Sequence, residues 1–200
     1  MNVFIDHQVR IRAVAVGPYD NNVYTVTCLA TGRGLLIDAA ADHGPVLEMC
    51  SDTAIERILV THGHGDHIAA LDQIQGALGV PWAMHPDDVE IAGRIPDESL
   101  TDRQEIRFGN LILHVLHTPG HTPGSVSFVI EPVILSGDTL FPGGPGATRW
   151  DYSSFGEIMD SIERSLFTYP DPTLFFPGHG PGSSIGAERP ELETWRRRGW

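Results

Sequence analysis

Lysine is absent from the 200 residues, so all 13 basic side chains are arginines. P-loop nucleotide-binding proteins and enzymes with a Schiff-base or lysine-activated nucleophile need a lysine, and these classes are excluded. Acidic residues number 26, which gives a net charge of −13. Because binding to nucleic acid or anionic lipid needs a basic face, neither is expected as a partner. The one basic cluster, residues 196–198, is interpreted as a solvated C-terminal tail.

Cysteine is nearly as scarce, and long apolar runs are missing. Cys28 and Cys50 are the only two cysteines, without a CxxC pair, so a framework of several disulfides is excluded and each thiol is expected to be buried. No segment approaches the ~18 consecutive apolar residues of a membrane span. The N-terminal residues also lack the basic and apolar stretches of a signal peptide. These absences predict a cytoplasmic protein that binds no membrane.

Short apolar segments separated by turn residues, among them 22 glycines and 15 prolines, make up most of the chain. The length suits one sizeable core and no linker is visible, so residues 1–200 are predicted to form a single domain. Alternating apolar residues predict strands such as 9–16 and 22–30, and helical spacing predicts helices over 66–78 and 153–167. The whole pattern predicts two sheets packed face to face, with helices on both outer sides.

Histidines and aspartates are concentrated in a segment between a predicted strand and a predicted helix, THGHGDH (61–67). His62 and His64 lie two residues apart at a strand end, so their side chains face the same way and can bind one ion. Asp66 and His67 follow at the helix start, where they can face a second ion. Such a dense string in this position favours a metal site over a set of unrelated surface histidines.

Three later segments place further ligand-type residues at predicted strand ends among glycine and proline. Each residue alone is compatible with a turn, and only the joint pattern indicates a site. Imidazole and carboxylate ligands suit Zn²⁺, Mn²⁺ or Fe²⁺. The segments are HTPGHTPGS (117–125) with His121, SGDTLF (136–141) with Asp138, and PGHG (177–180) with His179. The remaining histidines are interpreted as structural or surface residues: His7, His43, His85, His114 and His117.

These four motifs resemble those of the metallo-β-lactamase fold superfamily, and within it the glyoxalase II-like (hydroxyacylglutathione hydrolase-like) hydrolases. The resemblance implies an α/β fold, a four-layer αββα sandwich with the metal site at one edge of its two sheets. It implies two divalent metal ions, with zinc the first choice and iron or manganese the alternatives. The implied ligands are His62, His64 and His121 for the first ion, Asp66, His67 and His179 for the second, and Asp138 bridging both.

The resemblance also implies a metal-dependent hydrolase of a small thioester, acting by attack of a metal-bridging hydroxide on the carbonyl carbon. Asp66 and Asp138 would then be catalytic as well as metal-binding, with Asp66 orienting the hydroxide. Asp38 matches a position that orients the ligands in this family, although a carboxylate in a strand-end turn is nearly as good an interpretation. A thiolate leaves readily, so no strong general acid is required.

Glutathione specificity is not carried over, because residues 143–150 lack the lysine and tyrosine expected for it. Another low-molecular-weight thiol or a generic small thioester stays open. Arg149 and Trp150 in this loop are candidate substrate contacts, with a surface arginine beside a core tryptophan as the favoured alternative.

The same scaffold is compatible with other functions. The main alternative is a persulfide dioxygenase with one Fe²⁺ held by His62, His121 and Asp138, and a lactonase is a further one. His64 stands where flavo-diiron oxidoreductases have glutamate, and Asp138 where many zinc β-lactamases have cysteine, which disfavours both classes. A non-catalytic metal-binding scaffold is disfavoured since all seven ligand-type residues are present. The expected partner is a small-molecule thioester or related substrate, and no oligomeric state is predicted.

Overall fold

The computed structural model describes residues 1–199 and contains two large β-sheets. In the first sheet the spatial order of the strands follows the chain. Its seven strands are β1 (Asn2–Ile5), β2 (Val9–Val16), β3 (Asn21–Cys28), β4 (Arg33–Ile37), β5 (Ala54–Leu59), β6 (Trp82–Met84) and β7 (Glu98–Ser99). Neighbouring strands run antiparallel from β1 to β4 and parallel from β4 to β7.

The second half of the chain forms the other large sheet and a small hairpin. These strands are β8 (Glu105–Phe108), β9 (Leu111–His117), β10 (Val126–Ile130), β11 (Val133–Gly137), β12 (Leu140–Phe141), β13 (Gly144–Pro145), β14 (Leu174–Pro177) and β15 (Ser183–Ser184). The six-stranded sheet has the order β15-β14-β11-β10-β9-β8, and β12 pairs with β13 alone. Strands β11 and β14 are parallel, so both end at the same edge.

Short helices connect the strands. The α-helices are α1 (His43–Cys50), α2 (Gly65–Ile68), α3 (Leu71–Leu78), α4 (Val89–Ala92), α5 (Phe155–Ser161), α6 (Ile185–Glu188) and α7 (Leu192–Arg198). A π-helical turn, Ile162–Leu166, continues α5, and 3-10 turns occupy Pro86–Asp88 and Arg189–Glu191. A serine caps the main helix of the second half: Ser154 Oγ accepts a hydrogen bond from Glu157 N, 3.3 Å. No helix within residues 1–199 combines the length and apolar character that crossing a membrane requires.

Apolar side chains pack in three layers of contact, which confirms the predicted αββα arrangement. The central layer lies between the sheets and includes Ile11 and Leu35 from the first sheet and Phe108 and Phe128 from the second. An outer layer joins the first sheet to α1 and α3, and another joins the second sheet to α5 and α7. Cys28 and Cys50 are buried free thiols, as expected.

Two predictions of local structure are wrong. Residues 66–78 form two helices, α2 and α3, because the backbone of Ala39 interrupts them: its N–H donates to His67 O and its carbonyl accepts from Ala70 N, both 2.9 Å. Residues 196–198 belong to α7 and are not a free tail. Arg196 Nη2 donates to Glu163 Oε2 at 2.6 Å, and the preceding Trp195 is buried in the outer layer of the second sheet.

One edge of the sandwich collects the ends of several strands. Asp38 follows β4, residues 60–64 follow β5, Asp138 follows β11 and His179 lies just beyond β14. Backbone hydrogen bonds join the sheets there: Asn22 N donates to Gly178 O at 2.7 Å, and Gly178 N donates to Gly137 O at 2.9 Å. The ligand-type residues of both halves of the chain therefore meet at this edge.

Candidate metal centre

Three histidines form the first group of converging side chains. The Nε2 atoms of His62 and His121 each lie 3.0 Å from Nδ1 of His64. Ligand nitrogens around a tetrahedral ion, at about 2.0–2.1 Å from it, are separated by about 3.3 Å. The spacing of the three nitrogens is therefore close to that of one metal site.

The second group contains one carboxylate and two imidazoles. His67 Nε2 lies 3.3 Å from His179 Nε2. Asp66 Oδ2 lies 3.5 Å from His179 Nε2 and 3.8 Å from His67 Nε2. These three side chains surround a second point, and Asn21 Nδ2 donates a hydrogen bond to Asp66 Oδ2 at 2.8 Å.

Asp138 lies between the two groups, which from here on are called the three-histidine group and the Asp66 group. Its Oδ1 is 3.6 Å from His67 Nε2, and its Oδ2 is 3.6 Å from His121 Nε2 and 3.5 Å from His179 Nε2. The structure thus brings together all seven side chains that the sequence singled out.

Backbone carbonyls orient two of the histidines. His121 Nδ1 lies 2.8 Å from Ala147 O, and His179 Nδ1 lies 2.8 Å from Tyr19 O. A carbonyl oxygen only accepts, so in both rings Nδ1 carries the hydrogen. In the neutral imidazole this leaves the lone pair on Nε2, which points into the cluster.

Asp38 fixes two more rings. His67 Nδ1 donates to Asp38 Oδ2 at 2.8 Å. Thr61 Oγ1 donates to the same oxygen at 2.9 Å, so it accepts from His62 Nδ1, 3.1 Å away. Asp38 also accepts from Thr61 N at 2.7 Å. The orienting role that the resemblance implied for Asp38 agrees with these contacts, which leave Nε2 of both His62 and His67 facing the cluster.

His64 is arranged the other way round. Its Nδ1 faces the cluster, and its Nε2 lies 2.9 Å from the hydroxyl of Tyr152. The Tyr152 ring stacks parallel to Trp150 with centroids 6.1 Å apart, and the Trp150 centroid is 4.5 Å from that of His64. An aromatic loop on the surface therefore holds the ring of His64.

Burial keeps the three-histidine group uncharged. Burial and the neighbouring imidazoles lower the pKa of His62 well below its usual value. Burial and then the charge of His121 lower the pKa of His64 to about 4, and burial also lowers the pKa of His121. At neutral pH these rings are unprotonated, the state that binds metal.

Carboxylates reverse this effect in the Asp66 group. Burial disfavours the charged form of His67, but Asp38 and Asp138 outweigh it and raise the pKa of His67 to about 9. Burial alone would raise the pKa of Asp138, yet the imidazoles of His67 and His179 lower it to about 2. Positive charge is thus favoured at this end of the cluster.

The cluster fits divalent metal ions. The Nε2 lone pairs of His62 and His121 both point at His64 Nδ1 from 3.0 Å, a convergence that a cation between the three nitrogens would stabilise. Within the described residues, Asp138 Oδ1 is buried without a hydrogen-bond partner. A buried carboxylate oxygen is costly unless it is hydrogen-bonded or coordinates a metal. Imidazole and carboxylate donors at these separations are the ligands of a divalent transition-metal site.

A separate group of His85, Asp87 and His117 does not have this geometry. The rings of His85 and His117 stack at 4.1 Å with planes 7° apart. Ring lone pairs lie in the ring planes, so two parallel rings cannot direct them at one ion. His117 Nε2 lies 2.8 Å from Pro123 O, which agrees with a structural role for this residue.

A cavity of about 530 Å³ opens over the cluster. Arg149 and Trp150 both line it, and the guanidinium carbon lies 4.8 Å from the indole centroid. Trp150 is therefore part of the cavity wall, and the interpretation of it as a core tryptophan is wrong. Other lining residues are Tyr19, His64, Asp66, His121, Phe141 and His179.

Three contacts of this site were not predicted from the sequence. Asn21 stands in a turn-forming segment and Tyr152 in a polar one, so neither carries a signal of its role. Asp88 stands in a Pro-Asp-Asp stretch that is typical of a helix start and gives no sign of a contact with the site. All three act on residues distant in the chain.

Comparison with known proteins identifies relatives of similar length. The chain is 29% identical over 199 residues to the probable metallo-hydrolase YqgX of Bacillus subtilis, covering 89% of this chain and 93% of the relative. It is 30% identical over 158 residues to hydroxyacylglutathione hydrolase GloC of Haemophilus influenzae, covering 69% and 74%.

Solved structures share the fold over most of the chain. ETHE1 from Myxococcus xanthus superposes with a TM-score of 0.85 at 27% identity, covering 94% of this chain and 87% of that one. TTHA1623 in a di-iron-bound form superposes with a TM-score of 0.80 at 30% identity, covering 89% and 96%. The sequence model of the metallo-beta-lactamase superfamily matches residues 16–179. The chain therefore belongs to the metallo-beta-lactamase superfamily.

Proposed function

We propose that the protein is a metal-dependent hydrolase of a small thioester, with two divalent ions bound by the seven-residue cluster. The observation that carries the proposal is the convergence of imidazole lone pairs and the unpartnered Asp138 Oδ1 at the floor of an open cavity. The likeness to a relative named hydroxyacylglutathione hydrolase supports a thioester substrate. The likeness to a di-iron-bound structure supports two ions.

The three-histidine group and the Asp66 group would each hold one ion, and Asp138, which lies 3.5–3.6 Å from imidazoles of both groups, would contribute to both. Zinc is our first choice, with iron or manganese as alternatives, since all three accept this donor set. When bound, such ions act as Lewis acids and lower the pKa of water toward about 7.

Asp66 has the position of a proton acceptor and orienting group. It is partly exposed to the cavity, and Asn21 Nδ2 holds its Oδ2 at 2.8 Å. Asp66 therefore orients the attacking water and takes up its proton. Asp138 keeps the three-histidine group and the Asp66 group at a fixed distance from each other.

The composition of the cavity favours a thioester over an oxygen ester. Apart from the cluster, the titratable side chains that line it within residues 1–199 are Tyr19 and Arg149. Neither residue type ordinarily serves as a strong acid near neutral pH. An alkoxide leaving group needs a proton from such an acid, whereas a thiolate, with a thiol pKa of about 8.5, does not.

A mononuclear iron persulfide dioxygenase is the second candidate. Its three ligands would be His62, His121 and Asp138. The observation that favours it is the position of Asp138 Oδ2, 3.6 Å from His121 Nε2, so that carboxylate and imidazoles also meet within one group.

Metal analysis and turnover decide between the candidates. Protein purified without chelator is analysed for metals, and thiol release from small acyl thioesters is compared with hydrolysis of matched oxygen esters and lactones. About two ions per chain and thioester turnover that His62→Ala and Asp138→Ala abolish are expected. The exposed histidine variant His7→Ala serves as the control and should keep activity.

Two results would contradict the proposal. One equivalent of iron with oxygen uptake on a persulfide would favour the dioxygenase. A fully metal-loaded protein that hydrolyses lactones or oxygen esters but no thioester would exclude the substrate class while leaving the metal site intact.

A further inference from the structure

A buried aspartate lies beneath the three-histidine group without belonging to it. Asp88 ends the 3-10 turn after β6 and is 0% exposed. Its Oδ2 accepts hydrogen bonds from Gly63 N at 2.7 Å and from Thr122 Oγ1 at 2.6 Å. Its Oδ1 accepts one from Gly124 N at 2.6 Å. One carboxylate thus binds two separate loops by three short hydrogen bonds.

Both loops are shaped around this carboxylate. A Cβ atom on Gly63 would lie 2.8 Å from Asp88 O, and a Cβ atom on Gly124 would lie 2.7 Å from Asp88 Cγ. Real Cβ atoms essentially never approach other atoms below 3.0 Å, so each glycine allows its backbone to reach Asp88.

The two loops carry all three ligands of the three-histidine group, whereas Asp66 and His67 follow in α2. Gly63 lies between His62 and His64, and Thr122 follows His121 directly. A backbone bond from Val126 N to Thr61 O, 2.8 Å, joins the same loops at their base. Asp88 adds the connection nearest the imidazoles, where the spacing of the nitrogens is set.

The Asp66 group depends on other contacts. Asn21 holds Asp66, Asp38 holds His67, and the carbonyl of Tyr19 holds His179. A defect at Asp88 should therefore reach the three-histidine group first and leave the Asp66 group in place.

We propose that Asp88 is a positioning residue that sets the distance between the His62–His64 loop and the His121 loop, and so the affinity of the three-histidine group for its ion. The inference rests on the metal-binding part of the proposed function. Bonds from backbone N–H groups to a carboxylate are about twice as strong as neutral ones. Changes to residues that orient metal ligands typically cost 10–100-fold in metal affinity.

Asp88→Asn is the direct test. An amide keeps one acceptor oxygen but turns an NH₂ group toward a backbone N–H or a hydroxyl, so at least one hydrogen bond is lost. Zn²⁺ affinities of both equivalents are measured by competition with a chromophoric chelator. One equivalent is expected to bind 10–100-fold more weakly, and the other to stay within about twofold. The weakened equivalent should be the one that His64→Ala removes and His179→Ala retains.

Two further variants complete the design. Thr122→Val removes one donor to Asp88 at nearly constant volume, and should weaken the same equivalent by a smaller factor; it carries the test if Asp88→Asn does not fold. Asp97→Asn is the matched control, because Asp97 Oδ2 accepts from Trp82 N at 3.1 Å at the start of β6, the end away from Asp88. It should leave both affinities unchanged.

If Asp88 had a purely structural role, its replacement would lower the stability of the metal-free protein without weakening one Zn²⁺ equivalent more than the other. Equal weakening of both equivalents, or unchanged affinities in Asp88→Asn and Thr122→Val, would overturn the inference while the proposed function stands. A wild-type chain that binds no ion would overturn both.

Discussion

Each clustered histidine has one ring nitrogen that faces away from the cluster, and the groups that bond to these nitrogens differ in how well they are buried. Backbone carbonyls hold His121 and His179, and the network of Asp38 holds His62 and His67. His64 instead depends on Tyr152, whose side chain is 38% exposed. The part of the centre that is easiest to perturb without disturbing the core is therefore the hydroxyl of Tyr152.

Replacing Tyr152 with phenylalanine removes this hydroxyl and leaves the ring in place. Because Nε2 of His64 loses its partner, the ring is less well oriented, and metal affinity or turnover should fall 10–100-fold. Thermal stability should change little, since surface substitutions usually alter it by less than about 0.5 kcal/mol. The measurement is a Zn²⁺ competition titration together with kcat. Tyr19→Phe removes the hydroxyl of a tyrosine that lines the cavity and should leave both unchanged; equal effects of the two variants would contradict the prediction.

The pKa of His67 predicts how the stability of the metal-free protein depends on pH. Burial opposes the charged ring, but Asp38 and Asp138 raise its folded-state pKa to about 9, above an unfolded value of about 6.5. The stabilisation is complete below pH 6.5 and is lost as pH rises through about 9. Urea unfolding in EDTA should show wild type losing stability over this range, and Asp38→Asn losing less. A parallel decline in both proteins would contradict this.

The convergence of all seven side chains proposed as ligands could be predicted, because each stands in a local motif after a strand or at a helix start. Their supporting residues could not. Tyr152 is 88 positions from His64, and Asp88 is 25 from Gly63 and 36 from Gly124. The sequence around these residues gives no sign of such contacts, because the contacts arise only when loops from different strands meet at one edge of the sandwich.

At the scale of elements, the periodicity of apolar residues predicted the strands well but did not reveal where a predicted helix is interrupted. Strand β2 coincides with the prediction for residues 9–16, because one face is buried and apolar residues alternate. The helix predicted over 66–78 is broken by hydrogen bonds from Ala39, which follows β4. Helical spacing continues across the break, so only the tertiary contact reveals it.

The packing of α5 against the His121 loop makes a prediction about two glycines. A Cβ on Gly120 would lie 2.2 Å from Ile158 N, and its φ is +130°, whereas nothing lies within 4 Å of a Cβ on Gly156. Gly120→Ala should therefore cost about 1–3 kcal/mol of stability, the usual range for overpacking, and displace His121. Gly156→Ala should stabilise α5 by about 0.4–1 kcal/mol.

Urea denaturation of both variants, with Zn²⁺ affinity measured alongside, checks this pair. Gly156→Ala is the matched control because it adds the same methyl group on α5 itself, at a position with nothing within 4 Å. If Gly120→Ala retains full stability and metal affinity, the loop does not rest on α5 as the structure indicates.

At the scale of the molecule, the two sheets share one apolar interior. Fully buried side chains of the first sheet, Ile11 and Leu35 among them, belong to the same cluster as Phe108 and Phe128 of the second. Backbone hydrogen bonds of Gly178 tie β3 to the second sheet at the metal edge. Separating the sheets would expose this interior and break the candidate metal centre at once. One cooperative unit over the whole chain, as the sequence predicts, stays a prediction.

Equilibrium unfolding in EDTA tests this prediction, and a second unfolding experiment with Zn²⁺ tests whether the metal centre joins the two sheets. Trp82 lies in the outer layer of the first sheet and Trp195 in that of the second, so fluorescence follows both sides while far-UV circular dichroism follows the strands. In EDTA the two signals should give one transition with the same midpoint. Zn²⁺ at 100 times its dissociation constant should add about 2.7 kcal/mol per site and shift both signals together. Separate midpoints, or a Zn²⁺ shift seen by one signal alone, would mean that the sheets unfold independently and that the metal centre does not hold them together.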